Sequence, residues 1–73
     1  MTIPREISAF SSFVEYEELK ISLNSSTDFI EIEVEEPYSP VGLEEKWFLD
    51  KATGIKWRLV KPDPPFGGIW SKT

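Results

Sequence analysis

Two short runs of apolar and aromatic residues, joined by a turn that ends in glycine, constrain the fold of this chain more than any other feature. The runs cover residues 43–50 and 55–61. Asp50 is a good first residue of a turn, and Gly54 supplies the positive φ that closes such loops. The pattern therefore predicts an antiparallel β-hairpin. The large apolar side chains expected on the inner side of this hairpin are Trp47, Leu49, Ile55, Trp57 and Leu59.

A strict alternation of apolar and acidic residues marks the middle of the chain. Within residues 29–36, Ile30, Ile32 and Val34 fall on one side of an extended backbone. The acids that fall on the opposite side are Glu31, Glu33 and Glu35. This pattern is typical of a strand with one buried and one solvated face. We therefore predict a β-strand over residues 29–36 with an acidic outer face.

The segment before this strand has two interpretations. Residues 18–23 also alternate, and the turn-forming run at 24–28 follows them, which predicts a first hairpin with the acidic strand. The competing interpretation is a helix that starts at Ser12, with Glu15 completing a capping box. The hairpin is favoured because a neighbouring strand supplies the simplest partner for the acidic one. Residues 1–12 fit a short helix or an irregular lead-in equally well.

These patterns predict a single small domain over residues 1–73 that is mainly β. The expected architecture is an antiparallel meander or a partly open barrel of four to five strands, with one short N-terminal helix as an option. The tail at 62–73 is expected to be extended, stiffened by its prolines and bent by Gly67 and Gly68. The side chains expected to be buried together are Ile30, Ile32, Val34, Trp47, Leu49, Trp57 and Leu59.

Acidic side chains are concentrated in the first half of the chain. Residues 1–36 carry nine acids and two bases, whereas residues 37–73 carry four acids and six bases. Such a surface repels nucleic acid and anionic membranes, and it favours a basic protein partner. Plain solubility is the alternative explanation of the charge. No signal peptide and no apolar run of membrane-spanning length is present, so we expect a cytoplasmic protein.

The residue types restrict the chemistry that the chain can perform. Cysteine and histidine are both absent, which excludes catalytic triads built on an imidazole or thiolate and makes a zinc site improbable. The acids of the alternating strand are better explained as a solvated face than as a catalytic pair. The oxygen-rich run at 24–28 is better explained as a turn than as a calcium loop. We therefore expect no catalysis, no cofactor and no metal.

Trp70 is the aromatic residue with the most functional information. It follows a glycine pair close to residue 73, so it either folds back onto the core or anchors a partner, as tryptophan does at many interfaces. The residues predicted to bind a partner are Glu31, Glu33, Glu35 and Trp70.

The second hairpin also carries a family resemblance. The spacing Asp50-x-x-x-Gly54-x-x-Trp57-x-Leu59-x-x-Pro62, followed by Gly67-Gly68 and preceded by Trp47, covers residues 47–68. It resembles the C-terminal signature of small bacterial immunity proteins encoded beside polymorphic toxins, in the family numbered twenty-seven. The resemblance implies a cytoplasmic protein that neutralises one toxin by binding it, without catalysis or cofactor. It also implies a longer helical stretch in the N-terminal half, where the alternation predicts strands.

Two functions therefore stand as hypotheses. The first is a non-enzymatic protein-binding module, of the immunity type, that inhibits a basic toxin. The alternative is a small accessory subunit of a larger assembly, which would use an exposed sheet edge or the proline-rich tail as its contact.

Overall fold

The computed structural model of the chain describes residues 6–39 and 42–73, and in it one helix packs against a four-stranded antiparallel sheet. The elements are α1 (Phe13–Ser25), β1 (Phe29–Ile32), β2 (Glu45–Asp50), β3 (Lys56–Val60) and β4 (Ile69–Lys72). Each strand pairs with the next one along the chain, so the sheet is a meander with β1 and β4 at its edges. The predicted fold class is confirmed, in its open form rather than as a barrel.

The hairpin formed by β2 and β3 closes as its turn residues predict. The amide of Gly54 donates to the carbonyl of Asp50 at 2.7 Å, and the amide of Asp50 donates to the carbonyl of Ile55 at 2.9 Å. Gly54 has a φ of 75°, which only glycine adopts without strain. The side chain of Asp50 also accepts a hydrogen bond from the amide of Ala52 at 2.9 Å. Local turn chemistry therefore determines where this hairpin bends.

The register of the hairpin corrects the predicted inner face. Phe48 lies opposite Trp57, and Trp47 lies opposite Arg58. Residues directly opposite each other share a face, so Trp47 and Trp57 lie on opposite sides of the sheet. The prediction that both point inward together is wrong. Its cause is that a shift of one residue in register exchanges the two faces, and the apolar pattern of these strands does not fix that shift.

The sheet has a helix-side face, covered by α1, and an open face on the other side. The helix-side face carries Phe29, Phe48, Trp57, Leu59 and Trp70, and these pack with Tyr16, Leu19, Leu23 and Phe10 in one hydrophobic core. The rings of Trp57 and Trp70 stack within this core with centroids 4.8 Å apart. Six of the nine residues of this core are aromatic, and such side chains bury the largest apolar surface per residue.

The predicted set of buried residues is only partly correct. Trp57 and Leu59 belong to the core, and Trp47 is buried on the open face. The remaining predicted core residues are less covered: Ile30 is 51% exposed, while Ile32, Val34 and Leu49 are half-buried. Because β1 presents Phe29 rather than Ile30 to α1, its isoleucines point to the open face. The predicted strand over 29–36 also ends early, at Ile32.

The predicted strand over 18–23 is wrong, since these residues belong to α1. The competing interpretation describes the segment: the hydroxyl of Ser12 accepts from the amide of Glu15 at 3.2 Å, and the Glu15 carboxylate accepts from the amide of Ser11 at 2.8 Å. Leu19 and Leu23 are one helical turn apart and face the sheet, whereas Ile21 between them points away. The apparent alternation therefore combines residues from two sides of a helix.

An irregular lead-in over residues 6–12 runs beside β4, and residues 1–5 lie outside the described part. Ile7 and Trp70 exchange two backbone hydrogen bonds of 2.7 and 2.8 Å, and the amide of Phe10 donates to the carbonyl of Gly67 at 2.7 Å. Gly68 has a φ of 84°, and a Cβ there would lie 2.7 Å from the Phe10 ring. The glycine pair therefore lets the tail pass close under the lead-in before it joins the sheet as β4.

Candidate functional site

The three acids predicted to form one docking face do not share a face. The Glu31 carboxylate is 3.5 Å from the ammonium of Lys46, which lies on the helix-side face. The Glu35 carboxylate is 2.7 Å from the ammonium of Lys56, which lies on the open face. Glu33 is exposed just beyond the end of β1. Because the strand stops at residue 32, alternation no longer decides which way the following side chains point.

Trp70 lies in the core and not beside these acids. Its exposed fraction is 0%, and it packs against Trp57, Phe48 and Phe29. Of the two alternatives for this residue, folding back onto the core is the one that the structure shows. The indole N–H groups of Trp57 and Trp70 have no acceptor among the described residues. Trp70 thus offers no surface to a partner in this fold.

The outer side of α1 carries an apolar pair that the fold leaves uncovered. Val14 is 62% exposed and Ile21 is 61% exposed. They are seven residues apart, nearly two helical turns, and so lie on one side of the helix, opposite the buried Leu19. Glu17 and Glu18 lie between them, three and four residues after Val14. We call this set, Val14, Glu17, Glu18 and Ile21, the outer helix face.

Folding alone does not account for the two apolar residues of the outer helix face. Valine and isoleucine are weaker helix formers than alanine, leucine or lysine because their branched side chains lose freedom in a helix. Exposed positions gain no packing energy that would offset this cost. A single exposed apolar side chain is ordinary on protein surfaces. Two branched apolar side chains on the same side of one helix, with two acids between them, have the character of a contact surface.

The electrostatic environment of this face is negative. Within the described ranges, no ion pair involves Glu17 or Glu18. The basic residue of α1, Lys20, lies 3.9 Å from the carboxylate of Glu44 instead. The outer helix face therefore combines an apolar centre with uncompensated carboxylates.

One partly buried hydrogen bond links α1 to the sheet. The Tyr16 hydroxyl, on the buried side of α1, donates to the Glu44 carboxylate at 3.4 Å. Burial raises the pKa of Tyr16 to about 12, and the nearby charge of Glu44 adds to the effect. The phenol thus stays neutral and serves as a donor. This contact joins the helix to the residue just before β2, beside the packing of Tyr16, Leu19 and Leu23 in the core.

The open face contains an aromatic and arginine cluster that sequence patterns did not reveal. The buried Glu45 carboxylate accepts from the Trp47 indole, the Arg58 guanidinium and the Tyr38 amide, each at 2.7 Å. The guanidinium of Arg58 lies 5.4 Å from the ring centroids of both Trp47 and Tyr38. Such residues are frequent at interfaces. Here they bond to each other, and they tie the segment around Tyr38 onto the sheet.

A metal centre, a membrane-spanning helix and a catalytic cleft are the other kinds of functional feature to consider in the described residues. Residues 6–39 and 42–73 contain no group of potential metal ligands. No helix within the same ranges is long and apolar enough to cross a membrane. An open cleft of about 280 Å³ has a mixed lining and no nucleophile paired with a base. The residues that line it are Gly42, Leu43, Glu44, Lys61, Pro62 and Asp63.

Comparison with known proteins adds no relative, since no protein-family model, curated protein or solved structure matches the chain. The surface chemistry of the fold is therefore the basis for inferring a function. Among the surfaces described, the outer helix face has the strongest combination of exposed apolar area and unpaired charge.

Proposed function

We propose that this chain is a non-enzymatic protein-binding module whose outer helix face docks a basic protein in the cytoplasm. The observation that supports the proposal is the exposure of Val14 and Ile21 on one side of α1, with Glu17 and Glu18 between them in the helix. An apolar centre loses water when a partner covers it, which stabilises the complex. Acids around that centre select for Lys and Arg on the partner and speed its approach.

We further propose that the partner is a toxin and that the module inhibits it in a bacterial cell. The support is the resemblance of residues 47–68 to the immunity-protein signature, together with a helix in the N-terminal half, where that resemblance implies one. The residues that carry the resemblance have structural roles here: Gly54 closes the hairpin turn, while Trp57 and Leu59 belong to the core. The signature would then define the scaffold, and α1 would carry the partner-specific residues.

Comparative capture from the source cell tests the proposal. The immobilised chain is compared with the double variant Val14→Ser/Ile21→Ser and with Ile55→Ser, a control that alters an exposed apolar residue outside α1. We expect one basic protein to bind the unmodified chain and the control but to be lost from the double variant. Equal recovery on all three, or recovery of acidic proteins alone, would contradict the proposal.

Charge reversal gives a second and independent arm. Glu17→Lys/Glu18→Lys changes the outer helix face, and Glu33→Lys/Glu36→Lys makes the same change in net charge beyond the end of β1. The sequence-based hypothesis places the docking surface on the acidic segment that includes Glu33. The present proposal places it on α1. Loss of the basic protein from the first variant alone supports the helix, and loss from the second alone supports the strand.

A further inference from the structure

The two edges of the sheet differ in how their backbone groups are satisfied. At the β4 edge, Trp70 exchanges two hydrogen bonds with Ile7, and the amide of Lys72 donates to the Glu6 carboxylate at 3.1 Å. The lead-in thus covers β4 as a further short strand would. The sheet has no neighbour beyond β1 among the described residues. An uncovered edge is a template for another strand.

The register identifies which groups of β1 are free. The amide of Lys51 donates to the carbonyl of Asp28 at 3.0 Å, so this pair is a hydrogen-bonded one. Hydrogen-bonded pairs alternate along an antiparallel ladder, so Ile30 also bonds towards β2. The N–H and C=O groups of Phe29 and Glu31 therefore point outward, and no hydrogen bond to them is found among the described residues.

The chain that follows β1 leaves this edge uncovered. Glu35 reaches Lys56 at 2.7 Å, and the Arg58 guanidinium donates to the carbonyl of Glu36 at 3.1 Å. Both basic residues lie on the open face, so the segment crosses that face and does not run along the edge. Ile30 stays 51% exposed beside the free backbone groups. The edge thus presents an apolar side chain as well as unpaired donors and acceptors.

We propose that β1 pairs antiparallel with β1 of a second copy of this chain, with the two-fold axis at Ile30. An axis at Phe29 would require the loop residue Thr27 to join the ladder. An axis at Glu31 would place two carboxylates opposite each other, which is destabilising. The axis at Ile30 pairs Phe29 of each copy with Glu31 of the other, and it satisfies all the free groups with strand residues alone.

Side chains around this axis are compatible with a second copy. Ile30 meets Ile30 of the other copy on the open face, next to the half-buried Leu49 of each sheet. The Glu31 carboxylate already lies beside the ammonium of Lys46. In this register Asp28 lies opposite Ile32, so no acid of the strand faces another acid. The product is one continuous eight-stranded sheet, two copies of the four-stranded one.

The dimer is expected to be weak and to respond to salt in a characteristic direction. Strands of four residues bury far less surface than a standard interface, so we expect weak association, with a dissociation constant on the order of 100 µM. Each copy carries a net charge of −5, so the copies repel each other and added salt strengthens the dimer. Docking of a basic protein on the outer helix face weakens with salt. Because the two associations respond to salt in opposite directions, each proposal can be tested independently of the other.

Sedimentation equilibrium and amide exchange on the full chain test this inference. Between about 10 µM and about 1 mM we expect a shift from monomer to dimer, a range that brackets the expected constant. Over the same range, the amides of Phe29 and Glu31 should become protected from exchange. The amide of Ile30, already bonded within the sheet, should not change. A chain that stays monomeric at 1 mM would overturn the proposal.

A matched pair of variants locates the contact. Ile30→Lys places two like charges at the axis, and Ile55→Lys adds the same charge at another exposed isoleucine, in the β2–β3 turn. We expect at least tenfold weaker association for Ile30→Lys and little change for Ile55→Lys. A dimer that survives Ile30→Lys, or that is lost in Val14→Ser/Ile21→Ser instead, would contradict pairing through β1. Circular dichroism confirms that each variant is folded.

Discussion

Both sides of α1 carry apolar residues, but one side is buried against the sheet and the other is exposed to solvent. Tyr16, Leu19 and Leu23 are buried against the sheet, whereas Val14 and Ile21 are exposed to solvent. Apolar side chains thus occur on both sides of a single helix. On the inner side they hold the fold together. On the outer side they contribute nothing to it, and this difference is what makes the outer helix face a candidate for docking.

The largest expected difference between the two sides is in stability. Leu23→Ala removes a fully buried side chain and should lower the free energy of unfolding by about 2–5 kcal/mol. Ile21→Ala, two residues away and exposed, should change it by less than about 0.5 kcal/mol. Urea unfolding followed by tryptophan fluorescence measures both. Equal losses in the two variants would show that α1 does not pack as described.

The second effect concerns the start of the helix, on which both sides depend. Ser12→Ala removes the hydroxyl that accepts from the amide of Glu15, and it should cost about 1 kcal/mol of stability. Ser22→Ala, inside the helix, provides the control and should be neutral or slightly stabilising, because alanine is the better helix former. A larger loss at Ser22 than at Ser12 would place the start of the helix elsewhere.

The third effect is a pH dependence that belongs to the inner side alone. The folded state raises the pKa of Tyr16 from 10.0 to about 12, chiefly by burying the phenol. The unfolded chain therefore loses this proton first, and the stabilisation, complete below pH 10, is lost as the pH rises towards 12. The free energy of unfolding should fall across this range.

Tyr16→Phe supplies the matched control for the pH experiment. It keeps the ring in the core and removes only the hydroxyl that bonds to Glu44. Near pH 7 this change should cost about 1 kcal/mol. Between pH 10 and 12 the variant should lose less stability than the unmodified chain. Parallel curves for the two proteins would show that Tyr16 is not the group responsible.

The smallest stability effect is expected on the outer side. Glu17→Gln/Glu18→Gln removes two charges without ion-pair partners in the described structure, and should alter the free energy of unfolding by about 0.5 kcal/mol or less. Thermal unfolding at low and at moderate salt measures the change. A loss above about 2 kcal/mol would mean that these acids maintain the fold, which leaves no reason to assign them to docking.

The parts of the fold that local chemistry controls were predictable from the sequence. The turn between Asp50 and Gly54 depends on residues close together in the chain, and the predicted hairpin is confirmed there. The faces of its strands were not predictable, because a register shift of one residue separates Trp47 from Trp57. The strand β4 was not assigned because its pairing depends on β3 and on the lead-in through Ile7.

The candidate site was missed for a related reason. Leu19, Ile21 and Leu23 alternate as in a strand, so the pattern predicts a strand with all three on one face and gives no sign that Ile21 differs from its neighbours. The spacing of Ser12 and Glu15 is a capping signal that the sequence does contain, and it indicates the helix that the structure shows. On a helical wheel Val14 and Ile21 then remain opposite the buried residues. No sequence signal marks β1 as an edge strand, because its position in the sheet depends on the order in which the four strands pair.

The most direct test of the outer helix face is a calorimetric titration of the chain with the basic protein that it captures. In about 0.15 M salt we expect Val14→Ser/Ile21→Ser to weaken binding at least tenfold, while Ile55→Ser stays within about twofold of the unmodified chain. Affinity for the unmodified chain should also fall as salt is raised. Unchanged affinity in the double variant, with both proteins folded, would contradict the assignment of α1 as the docking surface.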